Sequence, residues 1–341
     1  MNICFVSEHG PKIGDGHISR QYAIAEWLIK NNITINLYTN NLNNFFVEKF
    51  KKIGVRAFEI EIESGLIANQ FNSDSEYQWC FIDGDQISNA TELAIKKRLG
   101  CKTIRVSDLP VNYQHSDVLI NQNFASDHLK YENVSGQKRY FGLKHVILRE
   151  IIRKFEENLP NDQNKKITIS LGNSVSDNSR ALLEALIKFF SKNSFDDLNI
   201  EIFTNNHIED SALPKRRENI NIRTPSDQFI ASIKCSEFVV CSVGTTMWEC
   251  MALGIPYIAI ALNDPQARYV ETLENARICM SLAPEAVLQG ADELTKMTDH
   301  YRDRNAQINY KMLYKKLMPD RYFAALEETL ELVVANQIIN N

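Results

Sequence analysis

The stretch Val239-Val240-Cys241-Ser242-Val243-Gly244-Thr245-Thr246-Met247-Trp248-Glu249 decides how this chain reads. Its apolar, β-branched start is a buried strand, its small residues make a turn, and a helix-forming segment follows, ending at Leu253-Gly254. A strand that turns directly into a helix gathers free backbone N–H groups and the positive end of the helix dipole at one spot. Such a spot suits a phosphate. The hydroxyls of Thr245 and Thr246 add donors, and Ser242 and Gly244 keep bulk away so that a ligand can reach the backbone. Glu249 lies about one turn further in, where a carboxylate can accept hydrogen bonds from a ribose diol. Taken alone, the segment also fits an ordinary strand–turn–helix with a capping Ser or Thr.

The same alternation runs through the chain. In the first half, strand-like runs fall at Asn2–Ser7, Thr34–Tyr38, Val55–Ile60, Trp79–Ile82, Thr103–Val106 and Val118–Ile120. A helix from near Ile18 carries Ile24, Trp27 and Leu28 at helical spacing, and Thr91–Arg98 is another, ended by Gly100. The second half repeats the scheme with strands at Lys166–Leu171, Asn199–Thr204, Phe238–Cys241 and Tyr257–Ala261, and a helix from about Asn178 to Ser191. Strands alternating with helices predict an α/β protein with parallel sheets covered on both faces. A chain of 341 residues is long for one core. The charged helical stretch Leu148–Asn158, followed by the breaker-rich run 160–165, divides it into a Rossmann-like domain over 1–150 and a second over 165–341. The last forty residues read as helical with a break at Pro319, and these helices are candidates to pack back on the first domain. Ligands of such sheets sit beyond the carboxyl ends of the strands, so two such domains would share a cleft.

A second turn, Gly14-Asp15-Gly16-His17-Ile18-Ser19-Arg20, follows the first strand and opens the first helix. Gly14 and Gly16 permit a tight turn and leave room for a ligand. His17 at the helix start is a candidate general base, and the dipole there is expected to keep its ring neutral near pH 7. Arg20, one turn along, is a candidate to hold a phosphate or orient a sugar hydroxyl. His9, His115, His128, His145, His207 and His300 have no comparable context. Two strands end in acids, at Asp83 (within Asp83-Gly84-Asp85) and at Asp108. Either can polarise His17, bind a sugar hydroxyl or serve as a turn residue, and spacing does not choose.

Taken together, these residues resemble the UDP-sugar hydrolases of pseudaminic acid synthesis and, more loosely, glycosyltransferases of the GT-B fold. The resemblance spans roughly residues 1–275. It rests on Gly14, Gly16, His17 and Arg20; on Asp83 and Asp108; and on His115-Ser116-Asp117-Val118-Leu119-Ile120-Asn121-Gln122-Asn123 with Tyr131 after it. Gly142 and Leu148-Arg149-Glu150 continue it, followed by Ser242, Gly244, Thr246, Trp248 and Glu249, then Ala252-Leu253-Gly254-Ile255-Pro256, then Asn263 and Gln266. It implies two Rossmann-like domains facing across a cleft and a UDP-sugar held mainly by the C-terminal domain. It also implies no metal or cofactor, and His17 as the base that activates water with Asp83 in support. Gly14, Gly16, Arg20, Asn123, Gly172, Ser242, Gly244, Thr245, Thr246, Glu249, Asn263 and Gln266 are the implied substrate-binding positions. The implied reaction removes UDP from a 2,4-diacetamido-2,4,6-trideoxyhexose with inversion. Two departures stand out: the family's Gly-Gly-x-Asp reads Gly172-Asn173-Ser174-Val175 here, and its Asp-His-Tyr reads Asp83-Gly84-Asp85.

Composition narrows the alternatives. The 44% apolar content is that of a globular protein, and a net charge of −5 with both signs interspersed gives no footprint for nucleic acid. The seven cysteines are odd in number, scattered and mostly in apolar runs, which predicts free thiols in a reducing, cytoplasmic setting and no zinc site. No run is long enough to insert stably in a membrane. The sequence does not fix the oligomeric state, and a monomer is favoured. Two other functions compete with hydrolysis: glycosyl transfer, for which Lys49, Lys51 and Lys52 after Phe45-Phe46 would be a faint lipid-facing patch, and nucleotide-sugar binding without turnover.

Overall fold

The computed structural model describes residues 1–10, 13–62, 70–71, 76–108, 113–124, 126, 130–157, 166–172, 177–192, 195, 197–208, 219–290, 292–319 and 322–331. The proposed linker at 160–165, Asn173-Ser174-Val175, His128 and the end of the 148–158 helix lie outside these residues.

The first sheet holds seven strands: β1 (Asn2–Ser7), β2 (Thr34–Thr39), β3 (Arg56–Glu59), β4 (Trp79–Asp83), β5 (Lys102–Val106), β6 (Val118–Asn121) and β7 (Lys138–Phe141). They are ordered β3-β2-β1-β4-β5-β6-β7, all in parallel. Helices α1 (Gly16–Ile29), α2 (Phe45–Lys52), α3 (Asn89–Leu99) and α4 (Glu150–Glu157) belong to this half of the chain. The strands read as unbroken apolar runs because both faces of a parallel sheet are buried. Ile3 and Phe5 of β1 point into one core with Ile18, Tyr22 and Leu28 of α1 and Phe50 of α2. Cys4 and Val6 point the other way, onto Tyr38, Ile82 and Ile95.

The second sheet is built from β8 (Lys166–Ser170), β9 (Asn199–Phe203), β10 (Ile220–Arg223), β11 (Phe238–Ser242), β12 (Tyr257–Ile260) and β13 (Met280–Leu282). Its order is β10-β9-β8-β11-β12-β13, again parallel, so it repeats the topology of the first. Around it lie α5 (Asp177–Lys192), α6 (Gln228–Lys234), α7 (Thr245–Leu253), α8 (Asp264–Asn275), α9 (Pro284–Gln289), α10 (Asp292–Arg302) and α11 (Arg304–Leu317). Strand β11 again divides its residues, Val239 and Cys241 to one core and Phe238 and Val240 to the other. A last helix, α12 (Ala324–Leu330), packs against the first sheet's core through Leu326 and Leu330, with Phe323 stacked on Trp27 at 5.1 Å.

Three strands escape the sequence reading: β7, β10 and β13. Each lies at a sheet edge, where one flank is unpaired and the demand for apolar residues relaxes. Strand β10 exposes Asn221, Ile222 and Arg223, β7 has no fully buried residue, and β13 spans only three positions. All seven cysteines are free thiols, and all but Cys235 are buried. No helix among the described residues is long and apolar enough to cross a membrane.

In each sheet the strand order reverses at one point, between β1 and β4 and between β8 and β11. Helices leave in opposite directions there and open a crevice at the strands' carboxyl ends. The turns after β1 and β4 therefore share one crevice, and those after β8 and β11 share the other.

Candidate active site

The two crevices face each other. Gly16, at the start of α1, lies against the Thr245 hydroxyl at the start of α7; a Cβ on Gly16 would stand 3.8 Å from that oxygen. Two adjoining cavities of 210 and 300 Å³ occupy the gap. Ile13, Gly16, Val243, Gly244, Thr245 and Gln266 line both, so they form one continuous site.

The wall of the larger cavity comes from α1 and the ends of β4 and β5. His17 is buried and donates from Nδ1 to Asp83 Oδ1 at 2.8 Å. This fixes the tautomer and leaves Nε2 as the ring atom available to a ligand. Asp83 has no exposed surface and also accepts from Arg20 Nη2 at 2.7 Å and Nε at 2.8 Å. Burial opposes the charge on Asp83, but Arg20 and then His17 outweigh it, holding the carboxyl below its ordinary range. Burial likewise disfavours a charged His17, yet the attraction of Asp83 prevails and the ring titrates above its usual value. The Asp83 contact thus works against the helix-start dipole that was expected to keep the ring neutral.

Arg20 joins the same network. Its Nη1 donates to both oxygens of Asp108, at 2.7 and 2.8 Å, and its other nitrogens go to Asp83. Every nitrogen of the guanidinium is engaged within the protein, so Arg20 braces the two carboxylates while it also lines the cavity. Asn123 completes this wall, donating to the Asp108 carbonyl at 2.7 Å.

The smaller cavity is lined mostly by the second sheet's turns. Helix α7 has Gly244 as its N-cap, with no side-chain cap bond, so its first N–H groups face the cavity beside Thr245 and Thr246. Gly172 follows β8 at φ +82°, a left-handed conformation that side chains rarely adopt, and a Cβ there would press on Ser242 Oγ at 3.4 Å. Glu249 accepts from Arg149 at 2.6 and 3.0 Å, both on Oε1; Oε2 makes no hydrogen bond among the described residues. Phe203 and Phe229, ring centroids 5.1 Å apart, form an apolar wall with Pro225 at the far end. Asn263 caps α8 by accepting from the Gln266 N–H, and Gln266 Oε1 accepts from the Leu262 N–H at 2.7 Å. Among the described residues their amide NH₂ groups remain as donors, that of Gln266 at the junction of the cavities and that of Asn263 in the larger one.

All the sequence-derived site residues therefore meet at one gap, Asp83 as a buried support and the others along its walls. Sequence reasoning gave no role to Arg149, which orients Glu249, or to Asp85, whose Oδ2 lies 3.8 Å from His17 Nε2. It also missed the apolar wall of Phe203 and Phe229, whose only signal is their position at the end of β9 and the start of α6. In the faint basic patch, Lys49 pairs with Asp227 and lies over Tyr22 and Phe45, and Lys51 pairs with Glu48. No group of three His, Cys, Asp or Glu residues among those described is arranged to hold a metal.

No protein-family model matches the chain. Over 280 residues it is 24% identical to the protein MJ1062 of Methanocaldococcus jannaschii, covering 78% of this chain and 57% of that protein, so the chain spans little more than half of its relative's length. Among solved structures it is similar to MurG of Acinetobacter baumannii (TM-score 0.63, 12% identity, 97% of this chain and 99% of that one). It is similar also to the glycosyltransferase SnogD of Streptomyces nogalater (0.61, 13%, 97% and 99%). A third is Phytolacca americana UGT2 complexed with UDP-2-fluoro-glucose and pterostilbene (0.63, 12%, 93% and 93%). These likenesses, with two parallel-sheet halves in the same arrangement, show that the chain has the GT-B fold.

Proposed function

We propose that this protein is an enzyme acting on a nucleoside-diphosphate sugar, and that it transfers the glycosyl group to water. The carrying observation is the meeting of an Asp83-backed His17 with the uncapped start of α7 across one gap. The diphosphate lies at the N–H groups and hydroxyls of Thr245 and Thr246, the ribose on Glu249, and the base against Phe203 and Phe229. Neutral His17 takes a proton from water at Nε2 as the water oxygen bonds to the anomeric carbon. The anomeric C–O bond breaks on the opposite face, its electron pair leaves with the nucleotide, and the configuration inverts. Charge growing on the departing phosphate is met by the α7 donors, a kind of contact worth about 3 kcal/mol of barrier per donor elsewhere. Asp83 stabilises the imidazolium that forms.

The resemblance in the sequence favours UDP as the nucleotide and a 2,4-diacetamido-2,4,6-trideoxyhexose as the sugar. Glycosyl transfer to an acceptor hydroxyl is the second reading. It is supported by the glycosyltransferases among structures of the same fold, and the same base would deprotonate the acceptor. Incubation with UDP-2,4-diacetamido-2,4,6-trideoxy-β-L-altropyranose in isotopically labelled water separates them. Hydrolysis releases UDP and puts the label on the sugar. Turnover that requires an added acceptor would favour transfer, and label in the nucleotide would exclude both readings.

A further inference from the structure

The turn Asp83-Gly84-Asp85 places a carboxylate on each side of the His17 ring. Asp83 is bonded to Nδ1, while Asp85 Oδ2 lies 3.8 Å from Nε2, the nitrogen that faces the cavity. The turn is pinned so that both directions hold. Glu8 accepts the Gln86 N–H at 3.0 and 3.2 Å, and a Cβ on Gly84 would fall 2.5 Å from Glu8 Cγ, so only glycine fits between them. Asp85 is different in kind from its neighbours. Asp83 and Asp108 are both paired with Arg20, whereas Asp85 is half-exposed, lines the cavity, and its carboxylate makes no hydrogen bond among the described residues. The other described polar lining groups, among them Asn123, Thr245, Asn263, Gln266 and Tyr269, are neutral. Among the described lining residues, the cations are Arg20 and, when protonated, His17, both already bound to carboxylates.

We propose that Asp85 determines specificity at the sugar end of the site: it accepts a hydrogen bond from a hydroxyl, amide N–H or ammonium of the glycosyl group beside His17, and it repels a glycosyl group that carries a carboxylate. This rests on the nucleotide-sugar reading above and adds a charge class to it. A second anion brought beside Asp85 would find no free cation among the described residues and would lose its water, and like charges so juxtaposed are strongly disfavoured.

Calorimetric titration of the full chain with UDP, UDP-N-acetylglucosamine and UDP-glucuronic acid tests it. The wild type is expected to bind the N-acetylglucosamine compound at least about tenfold more tightly than the glucuronate. In Asp85→Asn that ratio collapses to about twofold or less, while affinity for UDP alone, held by the adjoining cavity, stays near the wild type. Asp85→Ala provides the same readout if the Asn variant does not fold, and Asp85→Glu is expected to restore discrimination. A ratio that is equal in wild type and variants, or a wild-type preference for the glucuronate, would overturn the proposal while leaving the nucleotide reading intact. Failure of UDP itself to bind the wild type would overturn both.

Discussion

At the scale of single residues, the ends of β4 and β5 explain why one acid supports His17 and the other does not. Both Asp83 and Asp108 follow buried strands, and sequence spacing treats them alike. Strand β4 pairs directly with β1, so its last residue falls beside the start of α1, whereas β5 lies one strand further out and Asp108 reaches only Arg20. The choice was illegible because it depends on strand order. Removing the carboxylate in Asp83→Asn is expected to lower the proton affinity of His17, so the acid limb of the kcat/KM profile moves to lower pH. It also leaves Arg20 without one buried partner, at a cost of about 3–5 kcal/mol in chemical denaturation. A profile that keeps its acid limb would remove Asp83 from the account. The raised affinity of His17 has a consequence for stability with a definite sign. A group whose folded value lies above its unfolded one stabilises fully below the unfolded value, about 6.5 for histidine, and loses this as pH rises through the folded value. The melting temperature of wild type relative to His17→Gln is therefore expected to show its larger excess near about pH 6 and a smaller one near about pH 9; the reverse trend would mean that the Asp83 contact does not stabilise charged His17.

At the scale of elements, the strand–turn–helix of β11 and α7 was legible because each piece obeys a local rule: four buried apolar residues, a small-residue turn, and Gly254 in the left-handed conformation at the helix end. The central strands of both sheets were legible for the same reason. Edge strands β7, β10 and β13 were not, since half-covered strands carry mixed sequences such as Lys138-Arg139-Tyr140-Phe141. The phosphate role proposed for α7 belongs to the element as well as to its hydroxyls. Thr245→Val keeps the backbone donors and removes one hydroxyl, so UDP affinity is expected to fall by about two- to tenfold, as for the loss of one hydrogen bond. Loss of all UDP binding in that variant would point to a collapsed turn, and an unchanged affinity would place the diphosphate elsewhere.

At the scale of the molecule, the two sheets are tied together by contacts that also shape the site. Arg149 of the first half's chain holds Glu249 of α7, the Phe124 N–H donates to Tyr269 at 2.7 Å, and Lys49 meets Asp227. Sequence alone suggested that the two glycine-rich turns face one cleft from the rule that ligands bind at strand carboxyl ends, but it offered nothing on these ties, which join residues 100 or more positions apart. The proposed function divides the labour between the two halves: one would supply the base, the other the nucleotide cradle. The most direct test is to measure, on the same preparation of His17→Ala, the affinity for UDP by calorimetry and the rate of UDP release from the diacetamido UDP-sugar. The account predicts wild-type-like affinity with turnover reduced by at least about a hundredfold; turnover that survives the substitution would contradict it.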